Sequence, residues 1–270
     1  MTPSPTTVST DIGVELDGAV AVVEMRRPPH NHFDVALIAS LADAFEALDA
    51  DARCRVIVLC AQGSSFCAGA DFAHREPIGS GAGTPPQRSA REMNPLYAEA
   101  LRLFACAKPV VAAVHGPAVG GGLGLALVAD FRVTCIEARF SANFNRLGFH
   151  PGFGLSVTLP RLVGAQQAAL LFYTGRRIAG DEAQRIGLAD VLVARDQVRP
   201  RAIELAAEIA LSAPLAVQST RATLRDGLVE QIRAAVARES AEQQRHFATE
   251  DFKEGVAAMA ARRPPRFEGR

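Results

Sequence analysis

The sequence has no excess of charge of either sign, because 29 Lys and Arg residues balance 29 Asp and Glu residues. Proteins that bind nucleic acid or anionic membranes usually carry a basic excess, so the balance argues against both partners. Five cysteines are scattered without a CxxC pair and without the spacing of a zinc site. The pattern favours reduced thiols in a cytoplasmic setting over a disulfide framework, and it predicts no metal centre.

A basic start followed by an apolar run is also missing from residues 1–11, so we expect a disordered lead there rather than a secretory signal. The longest apolar stretch, residues 110–129, is long enough to span a bilayer. It contains Pro117, His115 and five glycines, however. Such a composition favours a strand, a turn and a buried helix, so we expect no membrane partner.

The first fifty residues carry two clear local signals. Residues 12–25 predict a β-hairpin that turns at Asp17-Gly18. Residues 34–50 place apolar side chains three and four residues apart behind Asp34, which predicts an amphipathic helix with an aspartate N-cap.

Strands and helices alternate further along the chain. Apolar runs predict strands at 54–62, 110–115 and 189–194, and residues 122–129 predict a buried helix. Residues 74–90 are rich in Gly, Pro and Ser, which predicts a mobile loop. After residue 155 the periodicity is mainly helical, including "LAVQSTRATLRDGL" and "QIRAAVARESAEQQRHF". The fold class is therefore α/β.

Two glycine-containing loops each follow a predicted strand. They are "SSFCAGADF", residues 64–72, and "GPAVGGGLGLALVAD", residues 116–130. One backbone N–H from each loop, facing the same oxygen, would form an oxyanion hole. Either loop taken alone is better explained as a packing device, because glycine-rich turns between a strand and a helix are common. No GxGxxG or P-loop pattern is present, so nothing favours a nucleotide-phosphate site.

The order of these motifs closely resembles the enoyl-CoA hydratase/isomerase family, the crotonases. The resemblance rests on "SSFCAGADF", "KPVVAAVHGPAVGGGLGLALVADFRVT", "ARFSANFNRLGFHPGFG" and the tail "DFKEGVAAMAARRPPRFEG", and it covers about residues 12–268. It implies a crotonase-like spiral of ββα repeats over residues 12–200. It also implies a helical C-terminal region over 201–270 that forms homotrimers, with hexamers as the alternative. The implied ligand is an acyl-CoA thioester, with no cofactor besides the coenzyme A carried by the substrate.

The resemblance also assigns roles to single residues. The oxyanion-hole N–H groups fall on Ala70 and Gly121, which would hold the thioester carbonyl as it becomes an enolate. Phe33 and Lys253 resemble positions that contact the nucleotide end of CoA. The full set of implied substrate-binding residues is Phe33, Ala68, Asp71, Phe72, Gly120, Gly124, Phe144 and Lys253.

This sequence departs from the family at both catalytic acids. Hydratases of the family carry one Glu at the position of Gly124 and a second Glu at the position of Phe144. Adding water across a double bond needs a group that activates water and a group that delivers a proton. Glycine and phenylalanine do neither, so an ordinary hydratase mechanism is not expected.

His150 is the preferred replacement, because histidine transfers protons near neutral pH and lies here in the loop beneath the acyl group. The alternative is that its ring contacts a backbone carbonyl or packs at a subunit edge. His74 and Glu76 are the second choice. Asn143 and Asn145 can orient a water molecule but cannot transfer a proton.

Three functions remain consistent with the sequence. The first is a hydratase- or isomerase-type reaction with nonstandard acid and base residues. The others are a catalytically silent acyl-CoA binder and a CoA-thioester hydrolase. His115 is interpreted as structural, and His30 and His32 as turn residues in contact with CoA or solvent.

Overall fold

Two β-sheets and a series of helices build the chain, and the computed structural model describes residues 10–70 and 94–270. The strands are β1 Ile12–Asp17, β2 Val20–Met25, β3 Val56–Ala61, β4 Val110–Val114, β5 Ala118–Val119, β6 Phe131–Thr134, β7 Arg139–Ser141, β8 Arg177–Ala179 and β9 Val191–Leu192. The α-helices are α1 Val35–Ala50, α2 Pro95–Phe104, α3 Gly121–Ala126, α4 Leu155–Thr174, α5 Gly180–Arg185, α6 Val198–Ala210, α7 Pro214–Leu224, α8 Leu228–Phe247 and α9 Glu250–Ala260. Short 3₁₀ turns lie at Asn143–Leu147 and Arg195–Gln197.

The larger sheet has six strands in the order β1-β2-β3-β4-β6-β9. Only the β1–β2 pair is antiparallel, and the remaining pairs are parallel. Strands β2 and β4 are buried along their whole length, and in β3 only the last residue is partly exposed. This burial explains their runs of Val, Ile and Ala, because a parallel sheet is normally covered on both faces.

The two signals in the first fifty residues are confirmed. Strands β1 and β2 form a hairpin in which Gly18 adopts a φ of 56°, a left-handed value suited to glycine. A side-chain oxygen of Asp34 accepts a hydrogen bond from Leu37 N at 2.9 Å, as an N-cap does. Both features depend on neighbouring residues only, which is why the sequence predicts them.

The predicted strand at 189–194 is shorter than expected. Only Val191–Leu192 pairs with β6. The N–H groups of Leu188 and Ala189 instead donate to Ala183 O, which closes the turn after α5. The N–H groups of Leu188 and Ala189 therefore cannot pair with β6, and the strand begins later than predicted.

The smaller sheet has the order β5-β7-β8 and positions the site. The apolar run at 110–129 divides into β4, β5 and α3, as the glycines and Pro117 predict. The 3₁₀ turn at Asn143–Leu147 follows β7 directly. The α3 helix and this turn consequently meet at one edge of the smaller sheet.

The C-terminal region is helical from α6 to α9. The helix predicted from "LAVQSTRATLRDGL" ends at Leu224, because Gly227 with a φ of 68° turns the chain before α8. No single described helix is long and apolar enough to span a membrane. The segment Arg195–Ala210 and α7 reach that length and composition only when they are taken together, and a bend of 105° separates them.

Two predicted segments fall mainly outside the described residues. They are the loop at 74–90 and the lead at 1–11. Thr10 and Asp11 are described, and Asp11 forms an ion pair with Arg27 at 2.6 Å. The predicted substrate contacts Asp71 and Phe72, and the second-choice acid and base His74 and Glu76, also lie outside the described residues.

Candidate active site

The two glycine-containing loops pack against each other along their backbones. Cys67 N donates a hydrogen bond to Pro117 O at 3.0 Å, and Val119 N donates to Cys67 O at 3.0 Å. A side chain on Gly122 would overlap the carbonyl of Cys67. Glycine is therefore required at 122 for the loops to approach this closely.

This packing brings Ala70 near Gly121. Gly69, which precedes Ala70, has a φ of 82°, and a Cβ built on it would lie 3.6 Å from Gly121 N. Within residues 10–70 and 94–270, neither Ala70 N–H nor Gly121 N–H has an acceptor. Gly121 is the first residue of α3, where backbone N–H groups lack partners within the helix. Ala70 and Gly121 thus lie on neighbouring segments, and each has an N–H group without an acceptor among the described residues; the oxyanion hole stays a prediction.

A cavity of about 780 Å³ opens in front of both loops. Ala68, Ala70, Gly120 and Gly121 contribute to its wall. The sequence has 14 Phe and 2 Tyr, and aromatic side chains are concentrated here. Those that line the cavity are Phe33, Tyr97, Phe144, Phe149, Phe153 and Phe247.

Phenylalanine rings occupy the space at or beside both positions where the resemblance predicts a family glutamate. Gly124 is buried in α3, and a Cβ built on it would lie 2.8 Å from both Cβ and Cδ1 of Phe153. Phe144 lines the cavity and packs edge-on against Phe149 at 5.4 Å between ring centroids. Gly124 itself is covered and does not line the cavity. None of the described lining residues is Asp or Glu.

The buried carboxylate of Glu239 lies behind this wall. It accepts hydrogen bonds from Gly154 N at 2.9 Å, Ser156 N at 3.0 Å and Ser156 Oγ at 2.5 Å. Burial raises its pKa above the ordinary value, against the opposing effect of these hydrogen bonds. Glu239 therefore holds the start of α4, and it is not among the residues that line the cavity.

His150 does not line the cavity either. Its ring Nδ1 lies 2.8 Å from the carbonyl oxygen of Pro151, and its backbone N–H donates to His246 Nδ1 at 3.2 Å. The two histidine rings stack at 6.5 Å. The ring of His150 thus contacts a backbone carbonyl, which is the alternative to catalysis considered for it above. Its catalytic role stays a prediction.

Tyr97 and Gln243 are cavity residues that sequence reasoning missed. The Tyr97 hydroxyl donates to Gln243 Oε1 at 2.7 Å, and Gln243 Nε2 donates to His150 O at 3.0 Å. A side chain on Gly152 would overlap the Tyr97 hydroxyl. No local signal could have found the pair, because its members are 146 residues apart and lie on different helices.

Two histidines from the turn after β2 also line the cavity. His32 Nδ1 lies 3.2 Å from Gly69 O, and His30 Nδ1 lies 3.3 Å from Ser65 Oγ. The rings meet edge to face at 5.9 Å. His32 is thus in direct contact with the loop that presents Ala70.

The remaining predicted contacts divide between the cavity and the surface. The Phe33 ring lies so close to Gly121 that a side chain there would overlap it, which places Phe33 beside the predicted oxyanion hole. Lys253 is exposed on α9, pairs with Glu250 at 2.7 Å and does not line the cavity.

Thiol and metal chemistry gain no support from the described residues. Burial raises the pKa of Cys67, in the first loop, to about 12, so it is a neutral thiol near neutral pH. Residues 10–70 and 94–270 contain no group of three or more His, Cys, Asp or Glu side chains arranged to hold a metal ion.

Comparisons with known proteins agree with the motif order. A family model described as enoyl-CoA hydratase/isomerase matches residues 15–270. A crotonyl-CoA hydratase from Syntrophomonas wolfei is 35% identical over 260 residues, covering 95% of this chain and 97% of the relative. A short-chain-enoyl-CoA hydratase from Clostridium acetobutylicum is 33% identical over 253 residues, covering 93% and 94%.

A solved structure shows the same fold. The crystal structure of enoyl-CoA hydratase/isomerase from Pseudoalteromonas atlantica superposes with a TM-score of 0.83 at 30% identity, covering 96% of this chain and 100% of that one. The motif order, the paired loops and these similarities lead to one conclusion: the chain belongs to the enoyl-CoA hydratase/isomerase family, the crotonases.

Proposed function

We propose that this protein binds an acyl-CoA thioester in the cavity and stabilises the enolate of that thioester. The observation that carries the proposal is the pair of available N–H groups on Ala70 and Gly121, side by side at the cavity wall. A thioester oxygen between them gains negative charge as the enolate forms. One such donor typically contributes about 2.7–4 kcal/mol to transition-state stabilisation.

The charge of the cavity lining supports a CoA ligand. Arg27, Arg139 and Arg177 line the cavity, whereas no described lining residue is acidic. Arg27 already pairs with Asp11 and Asp34. Arg139 and Arg177 have no acidic partner in the described part of the chain. Although Arg139 Nη1 donates to Ile136 O and Ala138 O, both at 2.8 Å, neither carbonyl neutralises its charge, so both arginines suit the phosphates of CoA.

The reaction we propose is of the hydratase or isomerase type, with acid and base groups other than the two family glutamates. The relatives named above support the substrate class. The ring of Phe153 lies beside Gly124, and Phe144 itself stands at the second acid position. Neither ring can transfer a proton, so we do not expect the ordinary hydratase mechanism. The same rings favour a second candidate, an acyl-CoA binder without catalysis.

The C-terminal helices support self-association. Leu211, Leu215 and Leu224, in and beside α7, are 88%, 79% and 68% exposed in the single chain. Large apolar side chains with this much exposure suit burial against another subunit. We propose a homotrimer or a hexamer built from trimers, and light scattering coupled to size exclusion distinguishes these masses from a monomer. Five buried free cysteines support a reducing, cytoplasmic location.

The test combines binding with turnover. Calorimetric titration with CoA, crotonyl-CoA and a longer trans-2-enoyl-CoA measures binding, while loss of the conjugated-thioester absorbance measures reaction. We expect both signals. Binding without turnover would favour the silent binder, release of free CoA would favour a thioester hydrolase, and absence of binding would contradict the proposal.

A matched variant tests the oxyanion hole itself. A Cβ on Gly69 would lie 2.8 Å from Val119 O, and the φ of 82° disfavours any side chain at that position. Gly69→Ala should therefore displace the N–H of Ala70 and lower turnover more than it lowers CoA binding. Gly18→Ala also places a side chain at a positive φ, but in a hairpin turn with open space around it and outside the cavity lining, so it should leave turnover unchanged.

A further inference from the structure

We propose that His32 is the general base of this cavity, an inference that rests on the proposed function. The described lining residues include no carboxylate. Among them, His30 and His32 are the side chains whose ordinary chemistry includes accepting a proton near neutral pH. The geometry favours His32, for three reasons.

The first reason is the tautomer. A backbone carbonyl oxygen only accepts hydrogen bonds, so the ring nitrogen of His32 that contacts Gly69 O at 3.2 Å must carry the hydrogen. In the neutral ring the other nitrogen, Nε2, then holds the free lone pair. His30 lacks this constraint, because its Nδ1 contacts Ser65 Oγ, and a hydroxyl both donates and accepts.

The second reason is position. The carbonyl that orients His32 belongs to Gly69, the residue before Ala70, and a Cβ on Gly69 would lie 3.6 Å from Gly121 N. One short loop thus orients the base and also presents a predicted oxyanion donor. A thioester oxygen bound by Ala70 and Gly121 would have the α-carbon two bonds away, on the far side of the carbonyl carbon.

The third reason is rigidity. Asn31 is fully buried, and its Nδ2 donates to Gln62 O at 2.6 Å and to Ser65 O at 2.8 Å. On the other side, Phe33 N donates to Gly69 O at 3.1 Å. His32 itself is half-buried, between two anchored neighbours. A base fixed in this way needs little reorganisation to reach its substrate.

The proposed step is proton abstraction from the α-carbon of the thioester. The α C–H bond breaks, its proton moves to His32 Nε2, and its electron pair forms the C–C double bond of the enolate. The carbonyl π electrons move to the oxygen held by the N–H groups of Ala70 and Gly121. Return of the proton to the α-carbon or, in a 3-enoyl thioester, to the γ-carbon with a shift of the double bond regenerates neutral His32 and consumes no other reagent.

The experiment follows exchange of α-protons for deuterium in a saturated acyl-CoA, butyryl-CoA, incubated in D₂O with the whole protein and analysed by mass spectrometry. His32→Asn keeps a side-chain N–H near the position of Nδ1 but has no basic nitrogen. We expect exchange to fall about 10²–10⁴-fold, the typical contribution of a general base, with butyryl-CoA binding retained. His115→Gln is the control, because His115 Nε2 contacts Gly63 O at 3.1 Å outside this cavity.

The outcomes separate the base from the binding site. Wild-type exchange that His32→Asn leaves unchanged would overturn the role of His32 alone. Wild-type protein that binds butyryl-CoA without exchanging its α-protons would also overturn that role, whereas absence of binding would contradict the proposed function. Should His32→Asn fail to fold, His32→Ala with added imidazole takes its place. If imidazole restores proton exchange in His32→Ala, the proposal is supported. If the folded His32→Ala protein exchanges no faster with imidazole than without it, the proposal is overturned.

Discussion

Replacing Gly124 by alanine should destabilise this protein, although the same change stabilises most helices. In an open helix interior, Gly→Ala gains about 1 kcal/mol. Here the new Cβ would lie 2.8 Å from both Cβ and Cδ1 of Phe153, closer than carbon atoms pack. Overpacking of a core costs about 1–3 kcal/mol, so after the helix gain of about 1 kcal/mol we expect a net loss of up to about 2 kcal/mol.

The assay is urea unfolding, with the loss appearing as a lower midpoint at an unchanged slope. A double-mutant cycle with Phe153→Gly identifies the cause, because that change removes the ring and Cβ together and suits the φ of 63° at this position. The penalty of Gly124→Ala should disappear in the Phe153→Gly background, a coupling of about 1–3 kcal/mol. A stabilised Gly124→Ala protein, or strictly additive effects, would refute the reasoning.

Two further predictions concern buried polar groups. Tyr97→Phe removes the donor to Gln243 Oε1, so the free energy of unfolding should fall by about 1–3 kcal/mol; urea unfolding measures the change, and an unchanged midpoint would show that the bond contributes nothing. Burial raises the pKa of Glu239 above its ordinary value of 4.5, so its protonation favours the folded state. The stability that it contributes is present below pH 4.5 and is lost as the pH rises through the raised pKa. Relative to Glu239→Gln, the wild-type protein should therefore gain stability as the pH is lowered towards 4.5, and a pH-independent difference in unfolding free energy would contradict this account.

The sequence predicted the features that depend on neighbouring residues. The N-cap at Asp34 and the hairpin at Gly18 belong to this group. The adjacency of Ala70 and Gly121 followed from the family resemblance, and the glycine at 69 provides its physical basis. That Gly124 and Phe144 stand where the family carries glutamates is likewise implied by the resemblance and stays a prediction.

The contacts across the chain could not be predicted. Phe153 covers Gly124 from a loop that follows the 3₁₀ turn, and Tyr97 meets Gln243 across two helices. His32 stands out only through its bond to Gly69 O, which depends on how the turn after β2 pairs with the first glycine loop. Hydrophobic periodicity relates residues within one helix or strand, so it carries no information about contacts between distant elements.

The most direct test of the central claim is isotope-edited infrared spectroscopy of the bound thioester. An acyl-CoA labelled with ¹³C at its carbonyl reports the polarisation of that bond alone. If Ala70 and Gly121 both donate to the oxygen, the carbonyl stretch should move to lower frequency on binding, and Gly69→Ala should reverse much of the shift. A bound thioester whose carbonyl stretch equals that of free acyl-CoA in water would contradict the account.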